Sequence, residues 1–257
     1  MKAIWTGSIG FGLVNIPVKM YSAVEEKTLD LDMLDKKDYS NIKFKRVNEH
    51  TGKEVPWENI VKGYLLDDKY VVLDDKDFEK AAPEKNNHIE IVQFVDEKEI
   101  DSIYFETPYY LEPDKSGGRA YGLLREALQK SGRAGVGMFV MRAREHVCII
   151  KALDNIIILN RIRFAHEIRD TKELNIPAVK NKPAEVKTAI TLIDHLTEPF
   201  KATAFKDDYT DKMMKIIRAK AKGRKVPYKP LKIVHSKSSD LMEQLKASLA
   251  GSKRKAS

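Results

Sequence analysis

GMFVMRAREHVCIIKALDNIIILNRIRFAHEIR, residues 137–169, holds two runs rich in Val, Ile, Met and Phe on either side of Asp154-Asn155. That pair tolerates the positive φ angles of a two-residue turn, so the stretch reads as a β-hairpin. With that turn, Leu153 lies opposite Ile156, Cys148 opposite Arg161 and His146 opposite Arg163. Side chains alternate with period two. One face then carries Val147, Ile149, Ile158, Ile162 and Phe164, an apolar surface suited to cover a core. The other carries Arg142, Arg144, His146, Arg161 and Arg163. Guanidinium groups are permanently charged planar forks that match phosphate oxygens two at a time, so four on one strand face point to a polyanion. A solvated outer sheet face is the competing reading for any single pair of charges. Arg119 to Arg169 contains eight Arg and two Lys against four acids, a local net charge of +6 that favours nucleic acid.

The chain has 257 residues, enough for one large domain or two small ones, and a net charge of +8. The excess sits at the end. From Lys212 to Ser257 there are fourteen Lys and Arg against Asp240 and Glu243, so the remainder is slightly acidic and its polyanion surface must be a local stripe. No run approaches the ~18 apolar residues of a membrane span, and the first residues lack a signal-peptide pattern; the expected location is the cytoplasm. With Cys148 as the single cysteine there is no internal disulfide, and its mid-strand position suggests a small packing residue.

Ile4 to Tyr21, IWTGSIGFGLVNIPVKMY, threads Gly7, Gly10 and Gly12 through an apolar extended pattern. The spacing mimics a dinucleotide loop but lacks the strand-to-helix context; glycines in such a strand mark bulges or close backbone approach. Further on, Ala120 to Lys130 puts Tyr121, Leu124 and Leu128 on one helical face, ended by Ser131-Gly132. Short strands interrupted by one helix fit a β-barrel.

WTGSIGFGLVNIPVKMY resembles the opening of the bacterial Ku family, the homodimeric DNA-end-binding proteins of non-homologous end joining. The likeness continues through HTGKEVPWENIVKGY at His50 to Tyr64, YVVLDDKDFE at Tyr70 to Glu79 and PYYLEP at Pro108 to Pro113. It extends to AYGLLREAL at Ala120 to Leu128 and IRFAHEIRD at Ile162 to Asp170, colinear over roughly the first 170 residues. The resemblance implies a mixed, mainly β fold: a Ku-type barrel core with an arch that helps encircle DNA, then a helical C-terminal arm. The expected divisions are 1–193 for barrel and arch, 194–232 for a helical arm and basic strap, and 233–257 for a ligase-recruiting helix and short basic tail. Glu25 to Lys53 alone reads as a polar loop or exposed ribbon. In the family this part builds the arch, which makes Lys43, Lys45, Arg46 and Lys53 candidate phosphate contacts, beside Arg119, Arg142, Arg144, Arg161 and Arg163.

Beyond Asp170 the pattern turns helical. Ala184 to Leu196 places Val186, Ala189, Ile190, Ile193 and Leu196 on one face; Asp211 to Lys222 turns Met213, Ile216 and Ile217 inward and stops at Gly223. Lys220 to Lys232 is rich in cations without an acid, either a solvated linker or a DNA-backbone strap bearing Lys222, Arg224 and Lys225. Asp240 to Leu249 opens with a capping box and carries Leu241, Leu245 and Leu249 on one stripe. So short a helix with an isolated stripe wants a partner. In the family the C-terminal region engages a dedicated ATP-dependent DNA ligase.

No catalytic set is present in the sequence. His146 and Cys148 share a strand face without a third orienting group, His166-Glu167 and Asp194-His195 lack metal-ligand spacing, and no phosphate-binding loop occurs. The expectation is therefore a non-enzymatic protein without cofactor or metal, located in the cytoplasm with the nucleoid. Its expected partners are double-stranded DNA ends, a second copy of itself and the ligase; the alternatives are a general architectural DNA-binding protein and a nuclease. Arg161→Glu together with Arg163→Glu should weaken duplex binding and leave the fold intact.

Overall fold

The computed structural model describes residues 1–25, 27–82, 87–224 and 241–252. Its chain forms two compact units, Met1–Thr171 and Lys172–Ser257.

In the first unit, seven strands close a barrel. β1 (Trp5–Phe11) and β2 (Val14–Ser22) form the first hairpin, followed after a long excursion by β5 (His88–Asp96) and β6 (Phe105–Pro113). β7 (Arg133–Met141), β8 (Arg144–Leu153) and β9 (Ile156–Ile162) complete it. Around the barrel the order is β1-β2-β6-β9-β8-β7-β5, closed by the parallel pairing of β1 with β5. The strands alternate as the pleat requires: Ile16, Val18 and Met20 of β2 point inward. Ile9, Ile89, Leu111, Phe139, Cys148, Ile150, Ile157 and Leu159 meet them in the interior. Glycine at position 7 is a matter of close approach, since a Cβ there would collide with the Trp5 indole and the Asn87 carbonyl. The indole uses that space to donate Nε1–H to the Val140 carbonyl (3.1 Å).

One end of the barrel is stoppered by α2 (Gly118–Ser131), which lays Tyr121, Leu124 and Leu128 into the core as the sequence pattern predicts. The Tyr121 hydroxyl donates to the Leu111 carbonyl (2.6 Å) and accepts from the Ile157 N–H (2.7 Å), and Arg125 Nη1 donates to the Asn155 carbonyl (3.0 Å). Gly132 then ends the helix with φ 63°.

Between β2 and β5 the described residues 24–82 bury no side chain. They contain isolated antiparallel bridges Leu34↔Asn41 and Val47↔Glu54, the two-stranded sheet of β3 (Lys62–Leu66) and β4 (Lys69–Leu73), and α1 (Asp75–Ala81). Acidic residues start this helix: Asp74 and Asp77 cap each other's backbone N–H groups.

The second unit contains α3 (Pro183–Leu196), α4 (Asp208–Ala221) and α5 (Leu241–Ser252). α4 ends as expected at Gly223, φ 68°, where the Arg224 N–H returns to the Ala219 carbonyl. α3 departs from its reading. Val186, Ile190, Ile193 and Leu196 are exposed, while Glu185, Thr188, Ala189 and Leu192 are half-buried. An apolar stripe turns inward only where the chain supplies a cover. α5 packs against α3.

No described helix is long and apolar enough to cross a membrane.

Candidate nucleic-acid interface

The hairpin of β8 and β9 pairs as read from sequence, with Leu153 opposite Ile156 and Cys148 opposite Arg161, about a turn where Asp154 takes φ 49°. The ladder ends at Val147↔Ile162, so His146 does not face Arg163; the Arg163 N–H donates to the Tyr104 carbonyl instead (2.9 Å).

The assignment of faces requires a larger correction. The apolar set Val147, Ile149, Ile158 and Ile162 points away from the barrel interior, which is lined by Cys148, Ile150, Ile157 and Leu159. These interior residues share a face with His146 and Arg161. A barrel strand runs from one closed end to one open end, so polarity segregates along the strand and not only between its faces. The same face is core near α2 and basic at the opposite rim.

At that rim, Arg142, Arg144, His146 and Arg161 line a cavity of about 500 Å³ with Ile4, Ser22, Thr107, Tyr109 and Met141. This barrel mouth is the candidate interface. Its β7–β8 turn places Arg142 and Ala143 at φ 53° and 60°, a left-handed pair that costs non-glycine residues about 1 kcal/mol each. Such strain is informative where it presents a charged side chain. Among the described residues, the side chains of Arg142 and Arg144 take part in no hydrogen bond or ion pair, although the Arg144 backbone pairs with Met141 in the β7–β8 ladder.

Arg161 and Arg163 differ from that pair. Arg161 Nε bonds Glu106 Oε2 (2.7 Å), and Arg163 Nη2 lies 3.6 Å from the other oxygen of the same carboxylate. Arg163 Nη1 also donates to the carbonyls of Ile103 (3.0 Å) and Phe105 (2.9 Å), and its side chain borders an outer groove rather than the mouth. It fastens the start of β6. Arg163→Gln should therefore cost about 2 kcal/mol of stability, read from urea unfolding, because two carbonyls lose a charged donor. Introducing glutamate at both 161 and 163 would gather three carboxylates at this seam, so the expectation that the fold stays intact is withdrawn. Nothing in the local sequence pointed to Glu106, which reaches the site across the β6–β9 pairing.

His146 has its ring centroid 5.6 Å from that of Phe139 and lines the mouth with Arg142, Arg144 and Arg161. Burial holds its imidazole below the ordinary value; Arg161 adds to this and Arg144 contributes, against the opposing pull of the Met141 backbone and Glu106. The unfolded chain takes up this proton near pH 6.5 and the folded protein at lower pH. Between those values the unfolded state holds more protons, so the stability contribution is complete above about pH 6.5 and is lost on acidification toward the folded value. Urea midpoints from pH 7.5 to 5 should fall for the native chain and fall less for His146→Gln. Cys148 is buried and its thiol pKa is pushed up by desolvation, which fits the packing role.

The other predicted contacts lie elsewhere. Arg119 is on α2, whose Arg125 bonds the β8–β9 turn, and it is not among the residues that line the mouth. Lys43, Lys45, Arg46 and Lys53 occupy the exposed ribbon of the excursion, where Lys45 pairs with Glu54 (2.6 Å) and the Arg46 guanidinium sits 4.5 Å from the Trp57 ring centroid. Lys222 and Arg224 follow α4 in the second unit, and Lys225 lies outside the described residues. Of the leucine stripe, Leu245 and Leu249 are half-buried and the side chain of Leu241 lies outside the described residues. The stripe is not isolated as expected, because α5 already packs on α3.

The model of the Ku70/Ku80 beta-barrel domain family matches residues 10–189. Among relatives, the non-homologous end joining protein Ku of Cupriavidus necator is 42% identical over 226 residues, covering 85% of this chain and 67% of the relative. Its counterpart in Opitutus terrae is 40% identical over 223 residues, 86% and 80% of the two chains. That of Bacillus subtilis is 36% identical over 259 residues, 99% and 83%. A closed seven-stranded barrel with a basic mouth, matched by the family model and by these relatives along most of its length, establishes that this chain belongs to the Ku family.

Proposed function

We propose that the protein binds the ends of double-stranded DNA without sequence preference, as a ring-shaped homodimer, in non-homologous end joining. The structural observation that carries this reading is the pair of unengaged guanidiniums, Arg142 and Arg144, at the rim of the barrel mouth. Affinity from such contacts arises from counterion release and falls by about 0.9 log units per log unit of salt for each phosphate neutralised. It carries no base readout.

Phosphate contact alone does not distinguish an end from the middle of a duplex. A closed ring does, because its low-barrier entry is threading over a terminus. The excursion of residues 24–82 supports this arrangement: it buries nothing of its own yet exposes Leu31, Met33, Phe44, Trp57, Tyr64 and Val71. Apolar surface on that scale marks an interaction face. A second copy about a two-fold axis would cover it.

In this reading residues 194–232 serve as arm and strap, and residues 233–257 recruit an ATP-dependent DNA ligase in the cytoplasm, at the nucleoid. Leu245 and Leu249 would then have to leave α3 or present their remaining exposed surface. The protein acts by binding and recruitment, not by catalysis.

Competition between cut and covalently closed plasmid for a labelled duplex tests the proposal. Cut plasmid should compete at least about tenfold better per molecule, consistent with the topological barrier. Equal competition would assign the chain to the architectural class instead, and cleavage of labelled ends in Mg²⁺ or Mn²⁺ would make it a nuclease.

A further inference from the structure

The mouth cavity of about 500 Å³ is within the range of small-ligand pockets and far too small for a duplex, whose major groove alone is ~12 Å wide. Its charges leave a net positive surplus suited to a small anion. Arg142, Arg144 and Arg161 contribute three positive charges, Glu106 removes one, and His146 is held toward its neutral form. The surplus is two. A backbone phosphodiester carries one negative charge, whereas a phosphomonoester carries about −1.5 to −2 near neutral pH. Thr107 and Ser22 add hydroxyls to the wall, while Ile4, Tyr109 and Met141 supply low-dielectric surface that strengthens charge pairing.

We propose that the barrel mouth is a binding site for a single phosphomonoester-class dianion, held by Arg142, Arg144 and Arg161 inside the rim rather than along a run of backbone phosphates. The inference deepens the DNA-end reading and rests on it only for the source of the phosphate. That source is either the terminal phosphate of a DNA strand or a free phosphate ester; the chemistry is the same.

Inorganic phosphate titrated calorimetrically into the full chain, at constant ionic strength set with chloride, is the direct probe. Saturable binding is expected. Arg144→Gln and, separately, Arg142→Gln should each weaken it by about tenfold or more, as loss of a charge-assisted bond implies. Lys130→Gln, on α2 where it pairs only with Glu126 of the same helix, should leave it unchanged. Neither arginine side chain has a hydrogen-bond or ion-pair partner among the described residues, so urea midpoints of both variants should match the native chain. Absence of phosphate binding above chloride, or binding that neither substitution alters, overturns the site.

A second arm separates the sources. Short linear duplexes with 5′-phosphate or 5′-hydroxyl ends are used to displace inorganic phosphate. Preferential displacement by the phosphorylated duplex, lost in Arg144→Gln, assigns the site to the strand terminus; equal displacement assigns it to free phosphate esters. The cut-versus-closed plasmid competition is independent of both arms. Retained end preference without phosphate binding would remove this inference alone.

Discussion

Glutamate at both Arg142 and Arg144 is expected to lower affinity for a short linear duplex by at least about a hundredfold at moderate salt, with the barrel still folded. Each guanidinium lost forfeits a charge-assisted bond worth about 1.5–3 kcal/mol, roughly a factor of ten or more, and each reversal adds repulsion. The fold should hold because neither side chain is engaged within the described structure; Arg142 is in the β7–β8 turn and Arg144 is the exposed first residue of β8, both outside the buried core. The salt dependence is the more diagnostic readout. Fluorescence anisotropy from 50 to 200 mM salt should show a smaller slope for the variant than for the native chain, because fewer phosphate charges are neutralised. An unchanged slope would place the DNA elsewhere on the molecule.

Phe139→Ala is the substitution expected to cost most in stability, about 3–5 kcal/mol by urea unfolding. The ring is 1% exposed, meets Trp5 edge-on at 6.4 Å and packs beside His146, so its removal opens a cavity where the core meets the mouth. Domains have only about 5–15 kcal/mol to lose, so the variant approaches the threshold of folding. Phe139→Leu keeps most of the volume and should cost under half as much. A loss below ~1 kcal/mol for alanine would mean that the barrel collapses around the gap, contrary to the close packing of Trp5 over Gly7.

The stretch from residue 137 to 169 shows where legibility ends. Its turn, its strands and its first seven cross-strand pairs follow from period-two alternation and from Asp154-Asn155, both local properties. Which face looks inward does not follow. Both faces are apolar near α2, and only closure of the sheet decides that Cys148, Ile150, Ile157 and Leu159 are interior. The site behaves likewise. Four arginines and a histidine are visible as a basic face, yet Glu106 distinguishes Arg142 and Arg144, free at the rim, from Arg161 and Arg163, which it engages. Glu106 lies far from all of them in sequence.

Helix faces show the same limit in both directions. Tyr121, Leu124 and Leu128 are inward as their spacing suggests, because the barrel end offers them a cavity; the equally regular Val186, Ile190 and Ile193 are exposed.

The sequence by itself determined the β8–β9 hairpin with its turn residues and basic character, the helices α2 to α5 and, through colinear motifs, the family. Only the tertiary structure decided which apolar face is core, which arginine side chains remain free, and that the basic rim surrounds the open mouth of the barrel. The physical reason is range: turn chemistry and side-chain alternation act over a few residues, whereas burial and charge pairing depend on neighbours that only barrel closure brings together.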